Sequence, residues 1–205
     1  KASSPISLYG ATKLAADKLF IAGNSYSGQQ DTRFAIVRYG NVMGSRGSVI
    51  PFFLSQADSG VLPITDTRMT RFMITLEQGI DLVLHAFADM VGGEIYVKEI
   101  PSMKIVDTAS ASVPGARHEI VGIRPGEKLH EQMISPQDAP HTYEYAEHYK
   151  VLPAIHNWSA DIKRISEGKL VHPDFSYSSD NNSEWMSAEM LTHWITQNRE
   201  KIGNF

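Results

Sequence analysis

Apolar residues recur at Leu8, Ala11, Ala15, Leu19 and Ala22, a three-to-four spacing that predicts a helix over about residues 8–22. Ser4 or Ser7 stands where an N-cap is wanted, and Gly23-Asn24 supplies a stop. The mostly apolar run 33–39 predicts a short strand buried on both faces, as parallel strands are, with Gly40 at its exit. Residues 44–48 read as a loop and 49–57 as a second, apolar helix entered near Pro51. Leu62-Pro63-Ile64-Thr65 predicts an edge strand, because proline cannot donate to a central ladder. Thr75 and Gln78 form a capping box opening a helix to about Met90, with Leu76, Ile80, Val83, Leu84 and Phe87 on its stripe. Gly92-Gly93 ends it, residues 94–97 are a strand, Ser102 caps a shorter helix to about 113, and 118–123 form a further strand. Past Pro136 the periodicity weakens, so 136–182 reads as mostly polar loop before a last helix at 187–198. Helices alternating with strands predict an α/β fold.

Within the first helix, Tyr9-Gly10-Ala11-Thr12-Lys13 places a phenol and an ammonium one turn apart on one face. A free tyrosine titrates near ~10 and is a poor base at neutral pH, and a fixed cation beside it favours the phenolate. Such a pair suits removal of a proton from a sugar hydroxyl while a nicotinamide takes the hydride. The alternative is an incidental aromatic–lysine pair on a surface helix. Asn41 follows the strand end at Arg38-Tyr39-Gly40, where ligands of open α/β sheets bind, although it also suits a plain turn. Two further runs, 65–72 and 122–131, each carry arginines in or beside a loop. Guanidinium forks converging from both would suit a pyrophosphate, whereas Asp66 and Glu127 offer local ion-pair partners instead. His130-Glu131 lacks a second spaced ligand and reads as structural rather than as a metal site. The tail aromatics, Tyr149, Trp158, Tyr177 and Trp194 among them, read as core and interface.

Composition narrows the classes. A net charge of -4 with no lysine–arginine cluster argues against a nucleic-acid surface. No apolar run approaches the roughly 18 residues of a membrane helix, so a soluble, cytoplasmic protein is expected. Zero cysteines exclude disulfides, thiolate metal sites and a cysteine nucleophile. The chain opens at Lys1 with no strand ahead of its first helix, and no Gly-x-Gly-x-x-Gly turn occurs. Sequence upstream is therefore expected, and the 205 residues alone are expected to bind a dinucleotide feebly.

Taken together, these blocks resemble the extended short-chain dehydrogenase/reductase superfamily and, within it, the inverting UDP-N-acetylglucosamine 4,6-dehydratases of pseudaminic acid synthesis. The resemblance rests on Lys1-Ala2-Ser3-Ser4-Pro5 ahead of Leu8-Tyr9-Gly10-Ala11-Thr12-Lys13, on residues 40–53, on Arg68-Met69-Thr70-Arg71-Phe72, and on 123–131 with the late 177–182. It implies the carboxyl-terminal part of a Rossmann-like, doubly wound parallel sheet with a smaller substrate-binding subdomain. Residues 1–45 and about 75–115 would belong to the dinucleotide-binding domain, about 46–74 and 116–205 to the sugar-nucleotide part. It also implies NADP as cofactor, a UDP-sugar as substrate and a homo-oligomer, with a role in glycosylating flagellin or surface polysaccharide. Tyr9 and Lys13 would be catalytic and touch the cofactor with Tyr39 and Val42. Lys1 would remove the C5 proton, and Asn41, Thr65, Arg71, Arg124 and Glu127 would hold the UDP-sugar. A 4-epimerase of the same superfamily would need the Tyr9–Lys13 pair but no C5 base.

Overall fold

The computed structural model describes residues 1–28, 30–153 and 162–202. Two compact units are each assembled from separated pieces of chain. The first comprises Lys1–Tyr39, Glu77–Glu99 and Gln132–Ser178, and the second Gly40–Leu76, Ile100–Glu131 and Ser179–Phe205. These boundaries differ from the expected ones: 132–178 fall in the first unit, and 40–45 with 100–115 in the second.

In the first unit, helix α1 (Leu8–Tyr26) begins where the Ser7 hydroxyl accepts the Gly10 amide at 3.2 Å, satisfying one of the unpaired donors of the first turn. The helix runs past its expected stop to Tyr26. There the Asn24 side chain bonds both the amide and the carbonyl of Phe34, at 2.9 and 3.0 Å, and so leads the chain into β1 (Ile36–Arg38). Helix α3 (Leu76–Asp89) then carries the chain to β5 (Ile95–Lys98), which lies parallel to β1. Strands β9 (Thr142–Glu144), β10 (His148–Val151) and, after the short helix α5 (Ile162–Ile165), β11 (Lys169–Leu170) extend this sheet in antiparallel fashion, in the order β1-β5-β10-β9-β11. The stretch 136–182 is mostly loop among its described residues, as expected, but it also holds strands of two to four residues, which find partners far away in sequence and leave no periodic trace. Strand β1 is half-buried rather than buried on both faces, and it ends the sheet among the described residues.

Arg38 fastens this unit internally. Its guanidinium donates to Asp17 of α1 at 2.8 and 3.1 Å, to the Met133 carbonyl at 2.9 Å and to Asp138 at 3.3 Å. Met133 lies in β8 (Gln132–Ile134), paired with β12 (Tyr177–Ser178). The helix faces differ from expectation. Leu8 and Leu19 on α1 are 83% and 70% exposed, and on α3 it is Gly79, Leu82 and Ala86 that are buried while Ile80, Leu84 and Phe87 face out. Trp158 lies outside the described residues; Tyr149 and Tyr177 are buried, as expected of core aromatics.

In the second unit, β2 (Asn41–Val42) lies parallel to β4 (Thr70–Ile74), which pairs antiparallel with β6 (Ser102–Lys104). The expected Ser102 cap is thereby corrected: Ser102 is a fully buried strand residue, and the helix α4 (Ile105–Ser112) starts after it. Strand β3 (Val61–Ile64) pairs, among the described residues, with β7 (Arg117–Ile120) alone, which leaves Pro63 on an edge. Helices α2 (Val49–Ser55), α6 (Ala188–Gln197) and α7 (Arg199–Ile202) complete the packing. Met43, Ile50, Met103, Leu191, Ile195 and Ile202 share one apolar cluster; Phe53, Leu62, Ile64, Met69 and Ile105 share another. Gly40 is required at the head of this unit. A Cβ there would lie 2.5 Å from that of Phe72 and 2.9 Å from the Phe72 carbonyl oxygen.

Candidate functional site

Arg124-Pro125-Gly126-Glu127 folds as a type II turn. Proline fits its second position and glycine its third, where φ is +84°, and the Glu127 amide closes the turn on the Arg124 carbonyl at 3.1 Å. The Glu127 carboxylate accepts the Arg124 amide at 3.1 Å, so it is the backbone, not the guanidinium, of Arg124 that Glu127 engages. The two side chains thus stand at the rim of a cavity of about 600 Å³.

The same cavity is lined by Asn41 from β2, Thr65 after β3 and Arg71 from β4, with Phe52, Pro63 and Val121 as apolar wall. Five residues expected to hold a UDP-sugar are therefore brought together within the second unit. Arg71 is largely buried. Its Nη1 donates to the carbonyls of Thr70 and Leu129 at 2.6 and 3.0 Å, its Nη2 to that of Lys128 at 3.0 Å, and Glu131 lies 3.8 Å from Nε. Burial pushes this guanidinium below its usual value, while Glu131 and Glu127 oppose the shift. Arg68 takes the other course open to these arginines, donating to both carboxylate oxygens of Asp66 at 2.8 and 3.0 Å. That hydrogen-bonded pairing brings the Asp66 carboxyl down to about 2.

Lys1, Tyr9, Lys13 and Tyr39 belong to the first unit. Tyr9 and Lys13 come together as their spacing predicts, with Nζ 5.5 Å from the centre of the ring. Tyr9 is 58% exposed at the opening turn of α1. Lys1 is exposed, and its carbonyl would lie 3.1 Å from any Cβ on Gly10, which explains the glycine after Tyr9. Tyr39 is exposed after β1; Val42 is half-buried in β2. Sequence reasoning passed over Ser48 and Phe52, which also line the cavity; the signal was the block 40–53, in which only Asn41 and Val42 were given roles.

Comparison with known proteins adds three findings. The family profile described as Polysaccharide biosynthesis protein matches residues 1–153. The inverting UDP-N-acetylglucosamine 4,6-dehydratase of Campylobacter jejuni is 54% identical over 202 residues, covering 95% of this chain and 60% of that protein. The chain thus spans about three fifths of the length of the curated relatives it matches. Among solved structures, Pen from Bacillus thuringiensis superposes with a TM-score of 0.82 at 31% identity, over 97% of this chain and 59% of that one. The dTDP-glucose 4,6-dehydratase DesIV from Streptomyces venezuelae gives 0.53 at 21% identity, over 62% and 42%. The Rossmann-like α/β fold is thereby shown. The expected NADP is corrected: DesIV has NAD bound, with TYD. The residues that tell the two dinucleotides apart follow the second strand of such a domain, a stretch that these 205 residues do not include.

Proposed function

This chain belongs to the polysaccharide biosynthesis protein family, and on that premise we propose that the whole protein is an inverting UDP-N-acetylglucosamine 4,6-dehydratase. The observation that carries the reading is the convergence of Asn41, Thr65, Arg71, Arg124 and Glu127 on one cavity. Its volume of about 600 Å³ suits a nucleotide-sugar, and it joins two guanidinium groups with an apolar wall. The 54% identity to the Campylobacter jejuni dehydratase supports the choice of substrate and reaction.

Arg71 and Arg124 would meet the diphosphate, Asn41 the sugar, and Thr65 with Glu127 the remaining polar groups of the ligand. Tyr9 would take the proton from the sugar 4-hydroxyl, with Lys13 held over its ring as the compensating cation. The exposed Tyr9–Lys13 pair fits the nicotinamide end of a dinucleotide, with Tyr39 and Val42 as further contacts; the pyrophosphate turn has no counterpart in these residues. A nicotinamide dinucleotide, when bound, supplies the hydride acceptor for C4 and the hydride donor for C6. With C4 a ketone, the C5 proton is acidic; Lys1 would remove it as the C6 hydroxyl leaves as water. Protonation of C5 from the opposite face then inverts that centre. The sum is loss of one water, a lyase reaction and a first step toward pseudaminic acid. A cytoplasmic location and a homo-oligomeric state belong to the same reading.

Incubating the whole protein with UDP-N-acetylglucosamine should give a 4-keto-6-deoxy sugar inverted at C5, read by proton NMR with solvent deuterium entering at C5. A simple C4 epimer would replace this reading with that of a 4-epimerase. Tyr9→Phe should lower turnover by roughly 10²–10⁴-fold; unchanged turnover would remove Tyr9 from the chemistry.

A further inference from the structure

Arg71 points where it does because three backbone carbonyls hold its nitrogens, and two of these, at Lys128 and Leu129, belong to a loop rather than to a sheet. A loop carbonyl is only as well placed as whatever fixes the loop. Here that is Ser179, a fully buried residue 109 positions along the chain from Thr70. Its amide donates to the Glu131 carbonyl at 2.8 Å, and its hydroxyl accepts the Glu131 amide at 2.9 Å. The same hydroxyl lies 2.7 Å from Thr70 Oγ1 and donates to the Thr70 carbonyl at 3.2 Å. Thr70 Oγ1 in turn lies 2.8 Å from His130 Nδ1, and the Thr70 amide donates to the Leu129 carbonyl at 3.0 Å. The loop that aims Arg71 and the strand that bears it are thus pinned to each other by the Thr70 amide, by the Thr70–His130 contact and by the Ser179 hydroxyl, which alone ties Glu131 to Thr70. Ser179 lies outside residues 1–153, the stretch that the family profile covers.

We infer that Ser179, acting with Thr70 through their shared hydrogen bonds, is a positioning residue that sets the direction in which Arg71 meets a diphosphate. The inference rests on the reading of the cavity as a UDP-sugar site and adds to it a dependence on the tail. It predicts a selective defect. Buried hydroxyls of this kind hold their partners in one geometry, and removing one leaves the others unpaired. The loss should fall on the phosphate contact and spare the nucleoside.

The test is binding of UDP and of uridine to the whole protein, by calorimetry for the first and ligand-observed NMR for the second. Ser179→Ala should weaken UDP by roughly tenfold or more while uridine changes by less than about twofold. Thr70→Val should repeat that pattern, and Thr70→Ser, which keeps the hydroxyl, should bind UDP as the unaltered chain does. Should Ser179→Ala fail to fold, the Thr70 pair decides alone. Unchanged UDP affinity in Ser179→Ala and Thr70→Val, or an equal loss of UDP and uridine, overturns the inference. Arg71→Ala separates this from the underlying reading: if it leaves UDP binding intact, the cavity is not the diphosphate site; if it abolishes binding while Ser179→Ala does not, the positioning role alone is lost.

Discussion

His148 shows how a single side chain couples this chain to pH. Its ring stacks on Tyr145 at 4.7 Å and meets His85 edge-on at 4.6 Å, with its Nε2 buried and unbonded. Burial pulls its titration down from 6.5 to about 4, helped by the positive charges of His85, Lys150 and Lys98 and opposed by Asp89. The unfolded chain therefore takes up this proton first as the solution is acidified. His148 contributes its full share of stability above about pH 7 and loses it between about 6.5 and 4, with nothing further to lose below that. Discounted for its solvent-facing side, the loss is about 1–2 kcal/mol. Urea unfolding followed from pH 7 to pH 4 should show this decline, and His148→Gln should flatten it; parallel curves would exclude His148 as the source. At this scale the sequence was legible where chemistry sits in short motifs. The Tyr9–Lys13 spacing could be read directly, whereas the backbone turn at 124–127 was not read, and the loop carbonyls around Arg71 could not be, their donors and acceptors lying 57 and 58 residues apart.

Among the elements, helix existence was legible and helix orientation was not. Ser7 and Ser187 cap α1 and α6 through side-chain hydrogen bonds, and such caps leave a local mark. Which stripe is buried depends on what lies opposite, and periodicity is silent about that when two faces are both partly apolar. On α1, Leu8 and Leu19 stand in solvent, so a charge placed there has no packing to disturb. Leu19→Glu should leave unfolding free energy within about 0.5 kcal/mol of the parent and lower light scattering at high concentration, because a smaller apolar face remains to self-associate. A loss above about 1.5 kcal/mol would mean the stripe is covered. The short strands of 142–151 and 169–170 escaped notice for the opposite reason: three or four residues carry too little pattern, and only their partners define them.

For the molecule as a whole, the tail is structural. Leu191, Ile195 and Ile202 share a core with Met103 and with Met43 and Ile50, the last two brought from well over a hundred positions earlier. Deleting 188–205 should unfold the second unit, since burying one large aliphatic side chain is worth about 2–5 kcal/mol and several go at once. Limited proteolysis should then cut within 40–76 in the truncated chain but not in the parent; equal resistance would show that the tail is dispensable. The sequence announced this only in part: the helix at 187–198 was legible and Trp194 read as core, but the pattern does not say which elements that helix covers.

The interleaving of the two units has a consequence for how such a chain is made. On a ribosome, residues 1–39 emerge well ahead of β10, which must be released before the sheet that β1 and β5 begin can be extended, and the second unit waits for its closing helices still longer. Neither unit can close until segments more than a hundred residues downstream have emerged, so each nascent copy spends the interval with unmatched apolar segments in the open. Yield in the cell should then be governed by elongation speed and chaperone supply as much as by the free energy of the finished product.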